Sequence, residues 1–194
     1  MSAAAGRPRL IVGISGASAP QLGYALLRAL HELQTVETHL VLSAGALRTI
    51  ELELDVSLEE VRALADVVHD ARDLAASISS GSFHTLGMAV APCSMARLAA
   101  IANGSSDDLL ARAADVCLKE RRRLVLAPRE APLNLIHIRN MEAVALAGAT
   151  IFPPVLAFYH RPRSIDDLLA QITGRILDQF GIEHHLFTRW RGRS

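Results

Sequence analysis

The chain has 194 residues, of which 51% are hydrophobic and 21% charged, enough for one well-filled core and far too apolar for a disordered segment. Twenty basic and twenty acidic residues leave no net charge. That excludes the field which draws proteins to nucleic acid or anionic membranes, and small molecules are the expected ligands. With only 4% aromatic residues, the core must be Ala, Leu, Val and Ile, as in parallel strands covered by helices on both faces.

In chain order, residues 9–14 form a short β-branched run. Pro20 then opens a helical pattern with Leu22, Ala25, Leu26 and Leu30 on one face, proline being well placed in a first turn. An extended run follows over 38–42, then a helix over about 46–54, and Ser57-Leu-Glu-Glu60 reads as a capping box opening another. Residues 67–85 are polar and mixed, and no strand is expected there. The pattern resumes with a strand at 88–91, helices at 95–102 and 107–121, a strand at 124–127, a helix at 133–147 and a last short strand at 149–152. Ser164 and Asp167 cap a final helix reaching Phe180, with Gly181 beyond its end. This alternation predicts a single-domain, doubly wound, mostly parallel α/β sheet with helices on both faces, a Rossmann-like arrangement. Residues 1–8 are expected to be a flexible N-terminus, 9–182 the α/β domain, and 183–194 a tail packed at a subunit interface through Phe187 and Trp190.

Cys93 and Cys117 sit in apolar runs without a C-x-x-C pattern, so no disulfide framework is expected and the compartment is read as cytoplasmic. Arg7 and Arg9 precede an apolar run that ends at Ser15, too short for a secretory signal of about 7–15 apolar residues. The uncharged stretch 143–159 is broken by Gly148, Pro153 and Pro154 and falls short of the roughly 20 residues of a membrane helix.

Ligands of open α/β sheets bind beyond the carboxyl ends of the strands. Those ends carry Ser15, Gly16, Ala17 and Ser18, then Ser43, then Cys93 and Ser94, then Arg129 and Glu130, and finally Phe158 and Tyr159. Small hydroxyls, amides at helix starts and an arginine suit a phosphate or another anion. The first turn, Gly13-Ile-Ser-Gly-Ala-Ser18, lacks the third glycine of a dinucleotide fingerprint, the Gly-Lys of a P-loop and the last glycine of a nucleophile elbow. His184 and His185 are adjacent, so their side chains diverge, and they are read as surface histidines; His84 and His137 are isolated, and no metal is expected.

Several blocks together carry a family resemblance: Gly13-Ile-Ser-Gly-Ala-Ser18, Ser79-Ser-Gly-Ser-Phe83, Ala91-Pro-Cys-Ser-Met95, Arg112-Ala-Ala-Asp-Val116, Leu118-Lys-Glu-Arg-Arg122, Leu126-Ala-Pro-Arg-Glu-Ala-Pro-Leu133, Arg139-Asn-Met141, Pro153-Pro154, Ala157-Phe-Tyr-His160 and Ile165-Asp-Asp-Leu168. In this order they resemble the UbiX-type flavin prenyltransferases, over nearly the whole chain. The resemblance implies an enzyme that joins the dimethylallyl unit of dimethylallyl phosphate to N5 and C6 of reduced FMN, without a metal. Its product, prenylated FMN, serves a separate UbiD-type decarboxylase, and family members form dodecamers with active sites between subunits.

By the same resemblance Gly16, Ala17, Ser18, Ser43, the Ser94-Met95-Ala96-Arg97 turn and Arg129 hold FMN, while Lys119, Arg129, Glu130, Tyr159 and Arg175 surround the donor phosphate. Glu53 corresponds to the acid/base carboxylate, with Glu51 its rival by spacing. Ser18, Glu53, Lys119 and Glu130 form the catalytic set. For Ser18 and Ser43 turn and cap duty is the simpler alternative; Lys119 could be a solvated helix end, Arg175 a surface residue. Tyr159 follows an apolar, buried-looking run where a phenol needs a partner. The chain departs from the family with Ala19-Pro20 where Gly-Ala is common, Ala44 in place of a lysine, and Ala96-Arg97 in place of Lys-Thr. A flavin-dependent cysteine decarboxylase and a flavin carrier are the alternative readings.

Overall fold

A computed structural model describes residues 6–192; residues 1–5 of the expected N-terminal segment and 193–194 of the expected tail lie outside the described residues. Six strands form one sheet in the order β3-β2-β1-β4-β5-β6: β1 (Arg9–Ile14), β2 (Glu37–Leu42), β3 (Val67–His69), β4 (Gly87–Cys93), β5 (Arg123–Pro128) and β6 (Thr150–Ile151). All five neighbouring pairs are parallel. The helices are α1 (Gln21–Leu33), α2 (Ala44–Glu53), α3 (Leu58–Ala63), α4 (Met95–Ala102), α5 (Leu109–Lys119), α6 (Leu135–Leu146) and α7 (Ile165–Gln179).

Strand alternation divides the core in two. Leu10, Val12 and Ile14 of β1, with Leu40 and Leu42 of β2, pack under α1, α2 and α7. Ile11, Val41, Met88 and Val90 point the other way, against α4 and α5. Each of the fully buried leucines and isoleucines contributes about 1.5–3 kcal/mol by leaving water, and period-two strands between 3.6-period helices place them without a large aromatic residue. Most of α6 is different. Of its twelve residues only Val144 is buried, and Leu135, Ile136 and Ile138 face outward.

The expectation of no strand within 67–85 is corrected by β3 and by a single 3-10 turn at Ser77–Ser79. Three residues are too few to show a period, so the strand exists through its ladder to β2, His39↔Val67 to Val41↔His69. Side chains reinforce that edge. Buried His39 faces Glu37 Oε1 with Nε2 at 2.8 Å and His69 Nε2 with Nδ1 at 2.9 Å. Because the carboxylate can only accept, His39 Nε2 donates, and in the neutral ring Nδ1 accepts from the His69 N–H. Arg9 also pairs with Glu37 and lies over the Phe83 ring, which meets His39 edge-on.

Burial first, and then the neighbouring His39, lower the pKa of His69, opposed by Asp73. A histidine harder to protonate folded than unfolded contributes fully above its unfolded pKa near 6.5 and loses that contribution as pH falls below it. Thermal midpoints are therefore expected to drop between pH 7.5 and 5.5. A His69→Gln variant should show a flatter profile across the same window, measured by calorimetry; an identical slope would refute the assignment.

The tail corrects one expectation. His184 is 5% exposed, not a surface residue, because Gly174 of α7 leaves room for it: a Cβ there would lie 2.5 Å from His184 Cε1 and 2.6 Å from Phe187 Cε1. Asp178 then receives His184 Nε2 at 3.2 Å and both terminal nitrogens of Arg189 at 2.6 and 2.9 Å. The Arg189 guanidinium, foremost, holds the Asp178 carboxyl below its usual range. The described tail residues thus pack along α7 of their own chain, and Trp190 ends edge-on to Tyr159, ring centres 5.9 Å apart.

Candidate active site

In this strand order the crevice lies where the chain turns opposite ways from β1 and β4. Ser15 ties the two strand ends together: its Oγ donates to Pro92 O at 3.1 Å and accepts from Ser94 N at 2.7 Å. With its one donor used and one lone pair engaged, Ser15 has a structural duty across the seam. Ser43 and Ser94 are the N-caps of α2 and α4, accepting from Ala46 N at 3.2 Å and Arg97 N at 3.3 Å. Each cap takes one orphan donor of its helix. The first-turn N–H groups of Ala44, Gly45, Met95 and Ala96 have no intrahelical partner, and with the positive helix ends they suit an anion.

Gly16, exposed after β1, meets Gly45 so closely that a Cβ on it would lie 2.8 Å from Gly45 Cα. The two glycines bring the β1 turn and the α2 start into contact, leaving backbone rather than side chain at the surface. Ala17 is buried beneath them. Sequence reasoning passed over Gly45, although a glycine two residues after a capping serine was a readable signal.

Ser18 and Glu53, 35 residues apart, are brought together. Ser18 Oγ donates to Glu53 Oε2 at 2.9 Å and Ala19 N donates to the same oxygen at 3.0 Å. Ser18 therefore serves a carboxylate, not a helix cap. Glu51, the rival, turns to Arg48 on the exposed face at 2.7 Å. A cavity of about 410 Å³ between α1 and α7 is lined by Glu53 itself, with Gln21, Tyr24 and Leu169 among others.

The remaining candidates divide. Arg129 and Glu130 are exposed just past β5, where Arg129 N continues the ladder by donating to Cys93 O at 3.1 Å. Glu130 Oε1 accepts from Ala131 N at 3.1 Å. Arg97 offers the crevice its backbone only; its guanidinium binds Asp107 at 3.0 Å and Asp108 at 2.6 Å. Tyr159 is 42% exposed, a correction to the buried reading, because Val155, Leu156 and Phe158 beside it also face outward. Its hydroxyl still has a partner, Gln171 Nε2 at 3.4 Å.

Lys119 is not in this crevice. Lys119 closes α5 just before β5 begins and pairs with Glu120, so it sits at the amino edge of a sheet whose six-residue strands span about 20 Å. Arg175 lies in the third turn of α7, 3.9 Å from Asp178. Burial pushes the Cys93 thiol up to about 12, which leaves no thiolate nucleophile at the end of β4. Among the described residues no three His, Cys, Asp or Glu side chains gather as metal ligands.

The Flavoprotein family matches residues 2–177. The chain is 59% identical to flavin prenyltransferase UbiX of Escherichia coli strain K12, over 95% of this chain and 98% of that protein. The crystal structure of AnUbiX (PadA1) in complex with FMN and dimethylallyl pyrophosphate superposes with a TM-score of 0.94 at 54% identity, covering 97% of this chain and all of the other. A dodecameric FMN-dependent UbiX-like decarboxylase from Escherichia coli O157:H7 superposes at 0.92, also with 54% identity, over 95% of this chain and 100% of that one. Matched by the family model over residues 2–177 and by relatives at 54–59% identity over almost its full length, the chain belongs to the UbiX-type flavin prenyltransferases of the Flavoprotein family.

Proposed function

We propose that this chain joins the dimethylallyl group of dimethylallyl phosphate to N5 and C6 of reduced FMN and passes prenylated FMN to a UbiD-type decarboxylase. The observation that carries the reading is the Ser18–Glu53 pair set beside two helix starts with unpaired amides. Those donors fit a flavin: the unpaired first-turn amides of Ala44, Gly45, Met95 and Ala96, with the cap hydroxyls of Ser43 and Ser94 and the backbone of the Gly16-Ala17-Ser18 turn, suit a phosphate and polar ring edges, and the Gly16–Gly45 contact keeps Cβ atoms out of the way. Bound there, reduced flavin supplies the nucleophilic atoms of the reaction.

The chain's own groups then have separable tasks. Glu53 takes up the proton released at ring closure, within reach of Ser18. Arg129 and Tyr159, with Glu130 near them, hold the donor phosphate as its charge grows. Arg175 stands one turn along α7 from Gln171, the partner of the Tyr159 hydroxyl, while Lys119 joins from a neighbouring copy, since it lies at the opposite edge of the sheet in its own chain; the outward Leu135, Ile136, Ile138 and Phe158 give that copy an apolar surface to cover. The assembly is a dodecamer by the same reading.

Anaerobic incubation of the purified protein with reduced FMN and dimethylallyl phosphate should yield a flavin heavier by one dimethylallyl unit in mass spectrometry. An unaltered flavin mass after full incubation defeats the proposal. Gly16→Ala places a methyl against Gly45 backbone at 2.8 Å, where no rotation relieves the contact. Flavin affinity is expected to fall by roughly 10–100-fold, the effect of about 1–3 kcal/mol of overpacking, read by fluorescence titration.

A further inference from the structure

We propose that Gln21 is a positioning residue for Glu53, fixing which of its two carboxylate oxygens is available as the proton acceptor; the inference rests on the reading of Glu53 given above. Glu53 is the last residue of α2, where carbonyls lack intrahelical partners. Gln21, the first residue of α1, donates its Nε2 to Glu53 O at 2.7 Å. One side chain thus couples the end of one helix to the start of the next.

The neighbouring contacts show what this coupling aligns. Both donors that reach the Glu53 side chain, Ser18 Oγ and Ala19 N, go to Oε2. Among the described residues no donor reaches Oε1. A carboxylate oxygen that accepts two hydrogen bonds has its lone pairs engaged, so Oε1 is the oxygen left to accept a proton, and the proton lost from the prenylated ring's C–H bond passes to it.

The local chain is bent to this end. Ala19 adopts φ 70°, a left-handed conformation that costs a non-glycine residue about 1–2 kcal/mol, and it is this turn that aims the Ala19 N–H at Oε2. Helix α1 has neither a side-chain cap nor an acidic residue in its first turn. Its N-terminus instead receives the Glu53 carboxylate from α2, a negative charge at a positive helix end. That contact holds only while the end of α2 stays on the first turn of α1, and the Gln21 amide is the side chain that ties the two backbones there.

Gln21→Met keeps the length and helix propensity of the side chain and removes the donor. The amide of Ala19 in the flavin-free protein is expected to exchange its hydrogen about fivefold faster, the worth of one neutral hydrogen bond, by mass spectrometry of a peptide ending before Pro20. Under anaerobic turnover kcat should fall by a similar factor with both KM values within twofold. In a Glu53→Gln background, adding Gln21→Met should leave the residual rate unchanged. Parent exchange and parent kcat in Gln21→Met overturn the proposal, as does an equal loss of rate in both backgrounds, which would mean that Gln21 acts other than through the carboxylate. Full activity of Glu53→Gln alone would instead refute the role of Glu53, and the exchange measurement still decides whether Gln21 holds it.

Discussion

Glu53→Gln is expected to lower the rate of flavin prenylation by about 10²–10⁴-fold, the usual worth of a positioned general base, while the protein still folds and binds flavin. The amide oxygen of glutamine can accept from Ser18 Oγ and Ala19 N as Oε2 does now, so the turn keeps its hydrogen bonds. What is lost is the ability to take up a proton. Single-turnover mass spectrometry under anaerobic conditions separates the outcomes: retention of the parent rate would remove Glu53 from the chemistry. Ser18→Ala should cost less, because Ala19 N still donates to the carboxylate. Glu51→Gln should change nothing, since Glu51 faces Arg48 and solvent.

The difference between those two glutamates shows what could be read in the sequence and what could not. Both stand on α2 two positions apart, and a helical pattern cannot say which faces the β1 turn, because the turn's own path depends on a left-handed Ala19. Family spacing chose Glu53, and the fold supplied the reason. Elements with a plain pattern were legible: the β-branched run of β1 and the helical stretch of α4 begin and end where they were read. Caps were equally plain, Ser57 and Ser164 forming the boxes their spacing predicts. Strand β3 was hidden because three residues carry no period. His184 was misplaced because its burial depends on an absent side chain at Gly174, ten residues away and on a different element. Lys119 was grouped with Tyr159 by resemblance, and no single-chain pattern could reveal that it lies at the opposite edge of the sheet.

Gly87→Ala is expected to be the most damaging single methyl in the chain, costing about 4 kcal/mol or more of a stability that for domains of this size totals about 5–15 kcal/mol. Two effects add. Gly87 has φ +140°, where side chains rarely fit, and its Cβ would lie 1.9 Å from Arg123 O, a backbone atom that cannot swing aside. The residue opens β4 and pairs with Leu10 on one side and Arg123 on the other, so relief would have to come from parting β4 from β5 at the middle of the sheet. Gly104→Ala isolates the conformational effect: with φ +66° and nothing within 4 Å, it meets only left-handed strain of about 1–2 kcal/mol. Urea unfolding should therefore show a modest shift for Gly104→Ala and little or no folded protein for Gly87→Ala. Equal midpoints for the two variants would mean that the strand ends yield at low cost, and the seam that Ser15 fastens between β1 and β4 would then be a weaker foundation for the site than its geometry implies.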